Sequence, residues 1–143
     1  DNGWQVLFRT ERLPRAIEVS YDIHQERLQY ALAQHSFLVA TTKDDGQLLG
    51  YTTLRYDALN QVAIVRDIVV ANEMRRMGVG TRLLSAAKRW AQEQNAAYFL
   101  TETQTKNYTA IQICQRQRLS FCGFNDKTFS NHEIAVYFGQ VLR

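Results

Sequence analysis

The sequence contains few of the residues that build disulfide-rich, metal-centred or proline-rich proteins. Its 143 residues include one proline, two cysteines and three histidines, His24, His35 and His132. Cys114 and Cys122 lack the spacing of zinc ligands and are typical of free thiols in a reducing compartment. The histidines show no ligand spacing either, so we expect no metal site.

Long hydrophobic runs are also missing. No apolar run approaches the roughly 20 residues that cross a bilayer, and no signal peptide, linker, repeat or low-complexity segment is visible. We therefore predict a single domain over residues 1–143, a cytoplasmic location and no membrane partner. The sequence begins with Asp1 rather than Met, and whether native residues precede it stays an open question.

The sequence has no large excess of positive or negative charge. The formal net charge is only +3, and most basic residues are spread along the sequence. A nucleic-acid reader usually carries a basic stripe, so we expect no nucleic-acid partner. With 45% hydrophobic residues, a chain of this length can bury about 68–70% of its unfolded surface around a core.

The most informative segment is a predicted strand, turn and helix. The β-branched run 62–70 predicts a strand, and an amphipathic helix is expected from Thr81 to about Gln94. The turn between them contains Gly78 and Gly80. Unpaired N–H groups at a helix N-terminus attract a phosphate, and glycine lets a ligand approach the backbone closely. Three arginines, Arg75, Arg76 and Arg82, add positive charge, so we predict a pyrophosphate site.

Two common phosphate motifs do not fit this turn. A Walker loop needs Lys-Ser or Lys-Thr after its last glycine, and neither pair follows Gly80. A dinucleotide-binding fingerprint needs a third glycine, where this sequence has Leu83.

The remaining pattern predicts an antiparallel meander followed by strands linked through helices, an α/β layered domain. Hairpin signals at 43–47 and 57–61 separate predicted strands. The expected strands are Phe37–Thr42, Leu48–Tyr56, Ala96–Gln104, Leu119–Phe124 and Glu133–Val141, with a further one at Val6–Phe8 or before residue 1. Further helices are expected from Asp22 to about His35 and from Asn107 onward.

The spacing Arg75-x-x-Gly78-x-Gly80 resembles the acetyl-CoA motif [QR]-x-x-G-x-[GA] of the GNAT N-acetyltransferases. The segments 101–104 (Thr-Glu-Thr-Gln) and 133–138, together with Asn107-x-x-Ala110, further resemble the streptothricin acetyltransferases. The resemblance implies the GNAT fold, a central mixed and mostly antiparallel sheet flanked by helices. It also implies acetyl transfer from acetyl-CoA to a primary amine, with no metal.

The resemblance assigns the donor site residue by residue. The end of the motif strand would polarise the thioester and align the pantetheine arm, and Asn107 would contact that arm or else cap its helix. The implied acetyl-CoA-binding residues are Val69, Val70, Arg75, Arg76, Met77, Gly78, Val79, Gly80, Thr81 and Asn107.

Glu102 and Asp67 are the candidate general bases, because each carboxylate lies in an otherwise apolar strand. Pairing with Arg66 or orienting the substrate is the alternative for either residue. Family members have a tyrosine that protonates the leaving thiolate, and this chain has Cys114 there. Cys114 is a candidate acid or a small packing residue, and Tyr137 is an acid candidate by elimination.

The sequence does not decide the acceptor, whether the protein is catalytic, or its oligomeric state. The subfamily acetylates the β-lysine amine of streptothricin-type antibiotics, which would give antibiotic resistance. Acetylation of a protein amine or a polyamine is an alternative, as is an acetyl-CoA-binding sensor without catalysis. A monomer and a homodimer are both compatible with the sequence.

Overall fold

The computed structural model describes residues 3–7, 9 and 36–143. The helix expected between Asp22 and His35 lies outside this part of the chain. The strand expected at Val6–Phe8 is wrong for its first two residues, because Val6 and Leu7 lie in no strand and are exposed. Phe8 lies outside the described residues.

Six strands form one sheet in the order β1-β2-β3-β4-β6-β5. The neighbouring pairs are antiparallel except β3 and β4, which run parallel. The expected mixed, mostly antiparallel sheet is therefore confirmed. The strands are β1 (Ser36–Thr41), β2 (Leu48–Asp57), β3 (Val62–Val70), β4 (Tyr98–Gln104), β5 (Ser120–Asn125) and β6 (Ala135–Val141).

Both predicted hairpin turns are present. Between β1 and β2, Gly46 adopts the left-handed region at φ 69°, which glycine enters at little cost. Between β2 and β3, the Asp57 carboxylate accepts hydrogen bonds from the backbone N–H groups of Leu59 and Asn60. An aspartate that satisfies the turn backbone in this way fixes the reversal.

Helix α1 (Val79–Glu93) begins two residues before the expected start. Its predicted apolar stripe is confirmed: Leu83, Leu84, Ala87 and Ala91 are buried, and Trp90 is half-buried against the same core. Asn95, at φ 60°, ends the helix. The N–H groups of Asn95 and Ala96 donate to the carbonyls of Gln92 and Ala91, which is a Schellman motif.

Helix α2 (Tyr108–Arg116) covers the same side of the sheet as α1. Its buried Cys114 belongs to one core cluster with Leu84 of α1 and Phe138 of β6. A second Schellman motif ends this helix, with Arg118 at φ 63°. The two helices and the sheet therefore enclose a common core that fixes where the strand ends point.

Candidate functional site

The two parallel strands separate partway along their length. Pairing between β3 and β4 runs from Val62 opposite Tyr98 to Val65 opposite Thr101 and stops there. Arg66 follows at a β-bulge, since Leu54 faces Val65 while the preceding Thr53 faces Asp67. A sheet that opens at the carboxyl ends of parallel strands leaves a cleft, which is a usual ligand position in α/β proteins.

The turn before α1 has the backbone geometry expected of an anion site. Arg76 and Gly78 have positive φ angles of 67° and 80°, and no side chain caps the helix at Gly78. Within the described residues, no acceptor meets the first N–H groups of α1 at Val79, Gly80 and Thr81. These groups lie at the positive end of the helix dipole and are therefore free to bind a phosphate.

The two glycines of this turn serve different purposes. A Cβ on Gly78 would meet nothing within 4 Å, so its positive φ is what requires glycine. A Cβ on Gly80 would lie 3.1 Å from Cδ1 of Ile113 in α2. Gly80 therefore allows the close approach of α2, and its expected role in admitting a ligand stays a prediction.

Glu102 lies where β4 leaves β3 and has two partners. Its Oε2 accepts from Nε of Arg66 at 2.9 Å, and its Oε1 accepts from the Tyr137 hydroxyl at 2.8 Å. The Glu102 side chain is 5% exposed and that of Arg66 39%. The hydrogen bond to Glu102 raises the pKa of the Arg66 guanidinium, and burial raises the pKa of Tyr137.

Tyr137 also reaches Thr128, whose Oγ1 is 3.4 Å from the phenol oxygen. Sequence reasoning did not single out Thr128, because its loop carries no motif. The structure thus joins Arg66, Glu102, Tyr137 and Thr128 in one network across β3, β4, β6 and the β5–β6 loop.

Asp67 is held by the neighbouring strand. Its Oδ2 accepts a 2.8 Å hydrogen bond from the Thr53 hydroxyl, and its carbonyl accepts one of 2.7 Å from Thr52. Glu133 is an outlying carboxylate, since it pairs with Lys106 at 3.0 Å on the surface. Of the acidic side chains considered from the sequence, Glu102 and Asp67 are the two beside the point where β3 and β4 separate.

Cys114 is buried beneath the cleft. Its Sγ lies 3.4 Å from Oγ1 of Thr101, and burial raises the pKa of the thiol. The thiol is therefore neutral at neutral pH. A small pocket next to it is lined by residues of both separating strands and of α2, among them Ile68, Thr103 and Ala110.

Three further predicted donor-site residues lie beyond the point where β3 and β4 stop pairing, two in β3 and one after β4. Val69 and Val70 end β3 half-buried, opposite Tyr51 and Gly50. Gly50 was missed from the sequence: a Cβ there would approach the Val69 carbonyl to 2.5 Å. Asn107 caps α2, with its Oδ1 accepting from the Ala110 N–H at 3.2 Å.

No group of three metal-ligating side chains occurs among the residues the structure describes. In the same part of the chain, no helix is both long and apolar enough to cross a membrane.

This fold and cleft agree with a family comparison. Residues 4–118 match the model of the acetyltransferase (GNAT) family. The chain belongs to this family, as the turn motif predicted.

Two relatives and a solved complex show which members of the family the chain is similar to. The streptothricin acetyltransferase of Streptomyces lavendulae is 34% identical over 97 residues, 65% of this chain and 51% of that protein. A nourseothricin acetyltransferase structure is 32% identical, with a TM-score of 0.67 over 77% of this chain and 66% of that one. A Bacillus anthracis streptothricin acetyltransferase homologue in complex with acetyl coenzyme A is 27% identical, with a TM-score of 0.65 over 77% and 64%.

These likenesses confirm the predicted resemblance to streptothricin acetyltransferases. The chain spans about half the length of the curated relatives it matches. The family match over residues 4–118 includes the turn, the two strands of the cleft and both helices.

Proposed function

We propose that this protein is an acetyl-CoA-dependent N-acetyltransferase acting on a primary amine of a small cationic molecule of the streptothricin type. The observation that carries this proposal is the uncapped N-terminus of α1 beside the cleft between β3 and β4. The helix N-terminus suits the pyrophosphate of the donor, and the cleft suits its extended arm. The similar streptothricin and nourseothricin acetyltransferases support the acceptor class.

The donor substrate would bind along the turn and the end of β3. The N–H groups of residues 78–81 would hold the pyrophosphate, with the side chains of Arg75 and Arg76 adding charge. Val69 and Val70 would align the pantetheine arm, and a backbone N–H there would stabilise negative charge on the thioester oxygen. Met77 and Asn107 would contact the donor from either side.

The acceptor must lose a proton before it attacks. An alkyl amine has a pKa of about 10.4 and is almost fully protonated at neutral pH. Glu102 or Asp67 would accept this proton, directly or through water. The amine nitrogen then forms a bond to the acetyl carbon, the carbon–sulfur bond breaks, and the leaving thiolate takes a proton.

Tyr137 and Cys114 are the two protonated groups that we propose as sources of that last proton. Both have a raised pKa, so both hold their protons at neutral pH. Tyr137 donates to Glu102, and when Glu102 is the base that has taken the amine proton, it would return that proton to Tyr137 through the same bond. Cys114 is enclosed in the core, and its contact with Thr101 fits packing as well as proton donation.

The buried Cys114 also favours a second candidate, an acetyl-CoA-binding sensor that does not transfer the acetyl group. Replacing Cys114 with Tyr would then create activity. Acetylation of a protein amine or a polyamine remains a further alternative for the acceptor. We also propose a single domain over residues 1–143, a cytoplasmic location, a monomer or homodimer, and no metal, membrane or nucleic-acid partner.

Free-thiol release from acetyl-CoA tests the proposal, with streptothricin, a polyamine and a lysine peptide as parallel acceptors. Release with streptothricin alone supports the proposed acceptor. Release with another amine alone would overturn the acceptor class and keep the transferase. Binding of acetyl-CoA without release on any amine would favour the sensor.

A further inference from the structure

Thr103 carries an unexplained polar atom in the candidate site. The residue is 4% exposed, and its Oγ1 is buried with no hydrogen-bond partner among the residues that the structure describes. Burying a hydroxyl without a partner costs about 1–3 kcal/mol. A native fold rarely retains such an atom unless something outside the chain satisfies it.

Neighbouring threonines of the sheet have hydrogen-bond partners for their hydroxyl groups. Thr52, which is 0% exposed, donates to the Asp67 carbonyl at 2.7 Å. Thr101, two residues before Thr103 and 2% exposed, has the Phe138 carbonyl 3.1 Å from its hydroxyl. Thr103 therefore differs from equally buried threonines in the same sheet, and burial alone does not explain its state.

The surroundings of Thr103 indicate where its partner would lie. Thr103 lines the small pocket between the separating strands, together with Val65 and Ile68 of β3 and with Ala110 and Cys114 of α2. Thr101 and Glu102 also line the pocket, but their polar side-chain atoms already have partners, so the surface open to a ligand is apolar apart from one neutral thiol. A ligand there would be a thin, mostly apolar chain carrying an occasional amide or carbonyl group.

We propose that the Thr103 hydroxyl is a binding contact for the acyl-donor arm, accepting from or donating to an amide or the thioester carbonyl of acetyl-CoA. This inference rests on the proposed function, since it requires that acetyl-CoA be the donor. It adds a side-chain contact from β4 to the backbone contacts proposed along β3.

Thr103→Val removes the hydroxyl and keeps the shape, so it separates binding from structure. Without ligand, the melting temperature should stay the same or rise, because an unsatisfied group has been removed. The Kd for acetyl-CoA should rise about tenfold, the loss of one hydrogen bond. The Kd for ADP, which has the pyrophosphate but no arm, should not change.

Two variants control the measurement. Thr52→Val removes a satisfied hydroxyl that does not line the pocket, and it should lower the melting temperature by about 4 °C without changing the Kd for acetyl-CoA. Thr103→Ser keeps a hydroxyl and should hold the Kd for acetyl-CoA within about twofold of the unaltered protein. Thr103→Ser also provides a folded test if the valine variant does not fold.

The outcomes are distinct. Equal acetyl-CoA affinity for the unaltered protein and Thr103→Val would overturn this inference alone, leaving water as the partner of Thr103. Equal loss of acetyl-CoA affinity in Thr103→Ser and Thr103→Val would also overturn it, because a retained hydroxyl would then fail to preserve the affinity. Failure of the unaltered protein to bind acetyl-CoA or ADP would overturn the proposed function itself.

Discussion

The Tyr137 hydroxyl donates a 2.8 Å hydrogen bond to Oε1 of Glu102, the residue directly opposite it in the β4–β6 ladder. Arg66, from the bulge of β3, holds the other carboxylate oxygen. Three strands thereby fix one carboxylate at the mouth of the cleft. A group held by two partners is preorganised, which suits either proton transfer or the binding of a cationic amine.

Glu102→Gln keeps the size of the side chain and removes its charge. If Glu102 accepts the amine proton, kcat should fall about 100-fold or more. The Kd for acetyl-CoA should stay unchanged, because Glu102 is not among the proposed donor contacts. Steady-state kinetics combined with calorimetric binding of acetyl-CoA measures both quantities.

Asp67→Asn is the matched comparison. Asp67 accepts from Thr53, and an asparagine can still accept that bond through its carbonyl oxygen. A large loss of kcat in Asp67→Asn with little loss in Glu102→Gln would move the base to Asp67. Similar small losses in both would contradict a carboxylate base.

Gly78 tests the anion site. Its φ of 80° and open surroundings mean that asparagine and aspartate meet the same backbone strain, since both enter the left-handed region more readily than other residues. Gly78→Asp should weaken acetyl-CoA binding at least about tenfold more than Gly78→Asn, because only Asp places a negative charge beside the pyrophosphate. The difference in acetyl-CoA affinity between the two variants should be smaller at high salt, because salt screens the added charge. Equal affinities for the two variants would contradict the phosphate assignment.

Because the Cys114 thiol is buried, the folded protein should lose stability at alkaline pH. Burial raises the pKa of its thiol in the folded chain above the ordinary value of about 8.5. The folded state then holds the proton more tightly than the unfolded state. This contribution is complete below pH about 8.5 and is lost as pH rises through the folded pKa.

Cys114→Ala should therefore flatten the alkaline limb of the stability curve. Urea unfolding at a series of pH values from about 7 to 10 measures it, and Cys122→Ala, at a more exposed thiol whose pKa burial also raises, is the comparison that should flatten the limb less. At neutral pH, the Cys114→Ala variant should be less stable than the unaltered protein because the substitution leaves a cavity. Its free energy of unfolding should nevertheless fall less between neutral and high pH. Parallel curves for Cys114→Ala and the unaltered protein would contradict the assignment.

Local patterns predicted much of the fold. The continuous β-branched run 62–70 coincides with β3, and Asp57 and Asn95 mark a turn and a helix end where their side-chain chemistry favours them. These features depend on residues close in sequence, which is why a single sequence displays them.

The network around Glu102 could not be predicted in the same way. It requires β6 to lie between β4 and β5, so that Tyr137 faces Glu102, and it requires a bulge at Arg66. Strand order and bulges follow from contacts between distant segments. Gly80 shows the same limit, since the side chain that excludes its Cβ belongs to Ile113.

Gly80→Ala and Ile113→Val should show coupled effects on stability. Alanine at 80 gains helix propensity but brings its Cβ to 3.1 Å from Ile113 Cδ1, the atom that valine lacks. The double variant should be more stable than the sum of the single changes by about 0.5 kcal/mol. A double-mutant cycle from urea unfolding measures this coupling, and strict additivity would contradict the contact.

Arg118 occupies a backbone position that favours glycine. It follows α2 at φ 63°, in the left-handed region, where a residue with a Cβ is strained by roughly 1–2 kcal/mol. Arg118→Gly relieves that strain but gives the unfolded chain more freedom. The net result should be a gain of about 0.5–1 kcal/mol in the free energy of unfolding.

Two variants separate backbone strain from the loss of charge at Arg118. Arg118→Ala removes the charge and keeps the Cβ, so it should not gain stability. Arg116→Gly, an exposed position inside the last turn of α2, should instead lose about 0.5–1 kcal/mol, because glycine weakens a regular helix. Urea unfolding of all three variants decides the matter: equal gains for Arg118→Gly and Arg118→Ala would assign the effect to charge rather than to backbone conformation.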